Sequence, residues 1–263
     1  MRISRKSKAT SARRVKKQKA EAAKSLVDDG RLNVVDLDGR LRHMVPVEVT
    51  RALRYAIARL QTTEKGDVPP RITVTSALAG EGVTFIASSL AALLANDLRR
   101  NVCLVDLNWW STSGAQLYDP RSGNEPLEKP PPGVAQVIDG RLALDEVLIA
   151  TQGWRLSLLP AGPASPAERP VFAKAEALTQ LVDALALRFD HVVLDVPPIL
   201  GNGEALTLAR LAEGYILVVR QGVTAEVQVQ SALHDLRHLV SLGVVLNRSS
   251  SAVPERLVHL LAQ

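Results

Sequence analysis

From residue 71 onward the sequence alternates short, continuously apolar runs with segments of helical periodicity, and few folds accept that rhythm. The apolar runs are Arg71–Ala77, Asn101–Leu107, Trp154–Leu159, His191–Val196, Tyr215–Arg220 and Gly243–Asn247. Most are unbroken Val/Ile/Leu stretches rather than in/out alternations, as expected of strands covered on both faces. Helical patterns fall at about 83–99, 168–188, 203–211, 225–240 and 254–262. Parallel neighbours need a crossover helix, so this succession predicts an α/β fold: a doubly wound, mostly parallel sheet with helices on both faces.

Two regions break the rhythm. Residues 111–133 are rich in Ser, Gly, Pro and charge, end in three prolines, and read as a long surface loop. An amphipathic helix over residues 46–61 precedes the first strand, outside the βα succession. The expected organisation is a basic, disordered arm over residues 1–45 and a domain over 46–263.

With 263 residues the chain can hold one large domain and an appendage. Aromatics are only 3% of it, so the core is expected to be Ala, Leu and Val. The single cysteine, Cys103, excludes an intrachain disulfide framework, sits in an apolar run, and fits a cytosolic protein. No stretch approaches the ~20 apolar residues that cross a bilayer.

The net charge of +5 belongs to the N-terminus. Residues 1–24 hold ten Lys or Arg and one acid, which leaves 22 basic against 26 acidic residues in the remainder. Such a run reads as a solvated arm, or as one drawn to anionic lipid at about 1 kcal/mol per basic residue. Nucleic acid ranks last, because the arm has no aromatics to stack on bases.

The first strand runs into Ser76-Ala77-Leu78-Ala79-Gly80-Glu81-Gly82-Val83-Thr84, and a helix follows. A Gly-rich turn entering a helix N-terminus suits phosphate, because free N–H groups and the helix dipole both face the ligand. Against the phosphate-loop pattern GxxxxGK[ST], Gly82 matches the second glycine and Thr84 the magnesium-binding hydroxyl. Ala77 stands for the first glycine and Val83 for the lysine. Two further strands end in aspartates, Asp106 and Asp195, at the sheet edge where open α/β sheets bind ligands. One Asp there reads as a turn or cap; two beside a Gly-rich βα turn read as a shared site. Trp109 and Trp110 follow Asp106 and read first as volume fillers, second as a stacking platform.

Together these segments resemble the bacterial tyrosine kinases and the wider MinD/ParA-like P-loop ATPases. That family combines PGEGK[ST]T, a strand ending DxDxR and a strand ending DxxP. The chain carries AGEGVTF, then Asp106-Leu107-Asn108-Trp109-Trp110, then Asp195-Val196-Pro197-Pro198. Residues 133–140 resemble the family's GLSDVLxG segment, 158–168 its LPAG…NPAEL, and 243–247 its GVVLN strand. Glu48, Arg51 and Arg54 match its ExxRxxR self-association motif.

The resemblance covers about residues 46–248. It implies a nucleotide site over Gly80, Glu81, Gly82, Val83, Thr84, Phe85 and Asn247, with ATP and Mg²⁺ as cofactors. It also implies magnesium ligation by Thr84, Asp106 and Asp195, with the two aspartates as catalytic remnants. The departures are Val83 and Phe85 in the loop, Asn108 and Trp110 after the second strand, and no tyrosine-rich ending.

The expectation is a catalytically degenerate, kinase-like component of exopolysaccharide or capsule export. It would be peripheral to the inner membrane, self-associating, and partnered with a Wzz-like co-polymerase. The alternatives are a kinase or ATPase completed in trans, or a ParA/MinD-type positioning ATPase.

Overall fold

The computed structural model describes residues 27–28, 31–37, 41–61, 67–111, 117, 130–152 and 155–248. Its centre is a seven-stranded sheet made of β4 (Arg71–Ser76), β5 (Val102–Asp106), β6 (Ile149–Ala150), β7 (Leu156–Leu159), β8 (His191–Asp195), β9 (Gly214–Arg220) and β10 (Val240–Asn247). The order is β10-β9-β4-β8-β5-β7-β6, with every pairing parallel except the short edge pair β6–β7. All five residues of β5 and of β8 are buried, as their unbroken apolar runs require of two-sided strands.

One face is covered by α3 (Val134–Ile138), α4 (Leu144–Val147), α5 (Arg169–Ala173), α6 (Glu176–Arg188), α7 (Ala205–Ala209) and α8 (Glu226–Asp235). The predicted helix over 168–188 is two helices. The chain is extended at Ala175, so Phe172 and Leu178 enter the same apolar cluster from separate elements. Cys103 lies in that cluster too, and burial pushes its thiol far up, which leaves it inert.

The opposite face carries α2 (Val83–Asp97), of whose fifteen residues eleven are buried. A helix buried nearly all round needs cover on its outer side as well. That cover comes from α1 (Val47–Gln61), through Leu53 and Ile57, and from an antiparallel sheet of β1 (Val27–Asp28), β2 (Arg31–Val35) and β3 (Leu41–Val45). Leu32, Val34 and Val45 of this small sheet are buried in the α2 cluster.

This corrects the arm drawn over residues 1–45, since β2 and β3 fall inside it. Their five-residue stretches mix apolar with polar residues, and only packing on α2 makes them strands. An ion pair within the small sheet, Arg42 to Asp36 at 2.8 Å, is itself nearly buried. His43 meets Ser89 of α2 at 2.9 Å and packs edge-on to Phe85, and burial holds its imidazole down at about 4. Residues 1–26 and 249–263, with the predicted helix at 254–262, lie outside the described residues, as does most of the 111–133 loop. No described helix is long and apolar enough to cross a membrane.

Candidate functional site

Strands β4, β5 and β8 are neighbours, so their C-terminal ends open on one crevice. Asp106 and Asp195 are register partners across β5–β8. Asp195 is 1% exposed, and desolvation together with the adjacent Asp106 pushes its carboxyl well above the usual range. The Thr84 hydroxyl, from the first turn of α2, donates to Asp195 and partly opposes that rise. Asp106 accepts the Asn108 backbone N–H at 2.8 Å. Two buried acceptors, Asp195 Oδ1 and Asn108 Oδ1, have no hydrogen-bond partner.

The structure brings Thr84, Asp106 and Asp195 together. Two hard carboxylates, one with its Oδ1 unpartnered, and a hydroxyl are a fitting donor set for Mg²⁺. Mg²⁺ at this place would supply positive charge to offset that of a phosphate ligand. Thr84, Asp106 and Asp195 would hold it.

The phosphate loop is different in kind. Gly82 caps α2 at φ +94°, a left-handed conformation that glycine adopts without strain. Glu81, counted among the nucleotide-binding positions, is 2% exposed and folds inward. Its carboxylate accepts the Leu78 N–H at 2.9 Å, the Arg220 N–H at 3.2 Å and the Thr224 hydroxyl. A loop amide that could face an anion is therefore already taken, and the loop is tied to the β9–α8 connection.

Asn247, at the end of β10, donates to the Glu81 carbonyl at 2.8 Å. It approaches so closely that a Cβ on Gly82 would lie 2.2 Å from its Nδ2. Val83, at the lysine position, is buried in the apolar cluster of α1 and α2. Phe85 packs on that cluster and on His43. Only Gly80 and its neighbour Ala79 stay exposed at the loop's tip. Residues 77–85 of the loop include no Lys or Arg.

Behind the crevice the 133–140 and 158–168 segments prove to be one packing unit. Val134 and Ala135 donate to the Pro160 and Ala161 carbonyls at 2.8 and 3.0 Å. Gly133 is required there, since a Cβ would meet the Pro160 oxygen at 1.9 Å. Trp109 is 6% exposed, donates its indole N–H to the Ala161 carbonyl at 2.9 Å, and contacts Trp110 edge-on and Phe172 at a tilt. It fills volume, while Trp110 is half-buried beside it.

The three helix residues of the self-association motif divide. Arg54 is engaged within the chain, bonding Asp97 at the end of α2 at 2.6 and 3.1 Å. Glu48 and Arg51 are exposed. Sequence reasoning missed the Glu81 staple, whose partners Arg220 and Thr224 lie some 140 residues away. It also missed the small N-terminal sheet.

A parallel sheet with a Gly-rich βα loop and two sheet-edge aspartates is a P-loop NTPase-like architecture of the MinD type. No protein-family model matches the chain. It is 30% identical over 182 residues to the succinoglycan biosynthesis transport protein ExoP of Rhizobium meliloti, an alignment covering 68% of this chain and 22% of that protein. It is 26% identical over 184 residues to the tyrosine-protein kinase CpsD of Streptococcus agalactiae serotype Ia, covering 69% and 75%. The kinase domain of Escherichia coli tyrosine kinase ETK superposes with a TM-score of 0.64 at 21% identity, over 80% of both chains. MinD of Pyrococcus horikoshii, solved with Mg-ADP, superposes with a TM-score of 0.54 at 20% identity, over 74% and 77%. The homologues of this chain are thus bacterial tyrosine kinases and an exopolysaccharide transport protein, and its fold is the one their kinase domains share with MinD.

Proposed function

We propose that this chain is a degenerate bacterial-tyrosine-kinase-like component of an exopolysaccharide or capsule assembly machine, acting as scaffold or regulator. The observation that carries this reading is Val83, an apolar side chain buried in the core where the phosphate-binding lysine would stand. Phosphoryl transfer depends on electrostatic stabilisation, and a polyanion without its main cation binds poorly. Losing one partner of a buried charge pair costs about 2–5 kcal/mol, roughly 30- to several-thousand-fold in affinity.

Asn108 and Trp110 remove a second carboxylate and a further cation. The partner in this reading is a separately encoded, Wzz-like inner-membrane co-polymerase, with the chain peripheral at the cytoplasmic face. Exposed Glu48 and Arg51 supply a docking or self-association edge, and the basic residues before 25 a contact with anionic lipid.

Calorimetric titration with ATP and with ADP, each with Mg²⁺, tests the reading. No saturable binding is expected below millimolar nucleotide, and Val83→Lys is expected to tighten binding by about 30-fold or more. Micromolar ATP affinity in the unaltered chain would sink the idea.

One observation favours a second reading, an enzyme completed by a cation in trans: the buried Asp106–Asp195 pair retains an orphaned acceptor. Magnesium-dependent ATP hydrolysis that Asp195→Ala abolishes would establish it.

A further inference from the structure

The main sheet ends differently at its two edges. At one, β6 has two residues, pairs antiparallel, and runs into a bridge between Thr151 and Asp36. The Gln152 N–H donates to the Val35 carbonyl at 2.8 Å, so the small sheet closes off that edge. At the other edge β10 runs eight residues and, among the described residues, pairs only β9. It contains neither proline nor charge, the features by which edge strands commonly refuse a partner.

The register of β10 shifts between Ser241 and Gly243 and is regular from Gly243 to Asn247. Asn247 turns its main chain towards β9, since its carbonyl accepts the Gln221 N–H at 3.1 Å. The N–H and C=O of a strand residue leave on one side and alternate along the strand, so those of Val244 and Leu246 point away from β9. Their side chains follow their register partners Leu217 and Val219 onto the face that carries α8, and stay 47 and 58% exposed. On the opposite face Leu242 and Val245 pack on the α2 cluster. Val244 and Leu246 thus combine main-chain groups at the open edge with uncovered apolar side chains.

Edge groups of this kind are satisfied by another strand. Among the described residues, a second copy of this chain offers β10 again, the short β6, and the edges of the small sheet. Only β10 on β10 is isologous and closed; each other choice leaves the second copy's β10 open for a third. We propose that two copies of this chain join through β10, antiparallel about a twofold at Val245, into one continuous sheet. That register sets Val244 opposite Leu246 of the second copy, twice over. Opposed residues with outward main-chain groups exchange both N–H···O bonds, so four such bonds form and four apolar side chains meet on the α8 face. The contact does not use Glu48 or Arg51 of α1, and it needs no nucleotide. It stays below about 1,200 Å² in total, which suits a reversible, concentration-dependent dimer.

Sedimentation velocity of the full chain over a concentration series tests the proposal, and a monomer–dimer equilibrium is expected. Leu246→Pro removes an outward N–H that β9 does not use, so it is expected to weaken the dimer about tenfold or more while the unfolding midpoint changes little. Val244→Lys and Leu246→Glu are each expected to weaken it similarly. Combined in one chain, the two substitutions stand opposite each other across the twofold and are expected to restore the dimer. Arg51→Ala is expected to leave it unchanged. A monomer at every concentration would overturn the proposal, as would a dimer that Leu246→Pro leaves intact or that the combined variant fails to restore. A dimer lost with Arg51→Ala would also overturn it, and would assign association to α1.

Discussion

The two halves of the crevice are built from equivalent strand ends, yet they differ in character. On the carboxylate side, Asp106 and Asp195 stand beside Thr84 with acceptors left over, a polar arrangement that costs stability unless something binds it. On the phosphate side the loop is closed by the protein's own groups: Glu81 takes a loop amide, Asn247 holds the Glu81 carbonyl, and Val83 and Phe85 join the core. One half is held by packing and by hydrogen bonds within the protein, whereas the other gathers two neighbouring carboxyl groups at the ends of adjacent strands.

The sharpest way to break this contrast is to disturb the closed half. Gly82→Ala places a methyl group at φ +94° and 2.2 Å from Asn247 Nδ2, so the Asn247–Glu81 bond must give way. Denaturant unfolding is expected to show a loss of about 2–3 kcal/mol, partly recovered by Asn247→Ala in the same chain. A neutral Gly82→Ala would mean the loop is not closed in this way.

The open half predicts the reverse sign. A carboxyl held above its ordinary value of 3.8 contributes stability that is present below that value and lost as pH rises through the folded-state value. Asp195→Asn stays neutral throughout. Its unfolding midpoint at pH 7 is therefore expected to exceed that of the unaltered chain, and the gain to vanish below about pH 3.8. Added Mg²⁺ is expected to narrow the difference, because it would stabilise only the carboxylate form.

The smallest effect belongs to the pair outside the crevice. Arg54 and Asp97 are solvent-accessible, so Arg54→Ala is expected to cost no more than about 1 kcal/mol, less at high salt. A larger loss, or a change in oligomer size by light scattering, would return Arg54 to an assembly role.

Much of this architecture was legible in advance, for local reasons. The runs that form β5 and β8 are wholly buried, as strands covered on both faces must be, and such mostly apolar runs need no knowledge of their neighbours; the run in β10 is a strand too, though largely exposed. The Gly-rich turn and the two strand-end aspartates lie where topology alone gathers ligands, so their convergence on one crevice could be read from order along the chain. Even the departure from the phosphate-loop pattern is a single letter at position 83.

What the sequence could not settle by itself depends on contacts between distant segments. Leu32, Val34 and Val45 sit in strands too short and mixed to announce themselves, and they are strands because α2 offers an apolar flank to cover. Val83 departs from the motif in the sequence, but only the tertiary structure places it within the apolar core. Glu81 matches a ligand-binding motif; its fold-back onto Leu78, Arg220 and Thr224 makes it a structural tie instead. Burial decides such cases. A side chain's chemistry is written in one residue, whereas the solvent it loses and the partners it gains are set by segments far away in the chain.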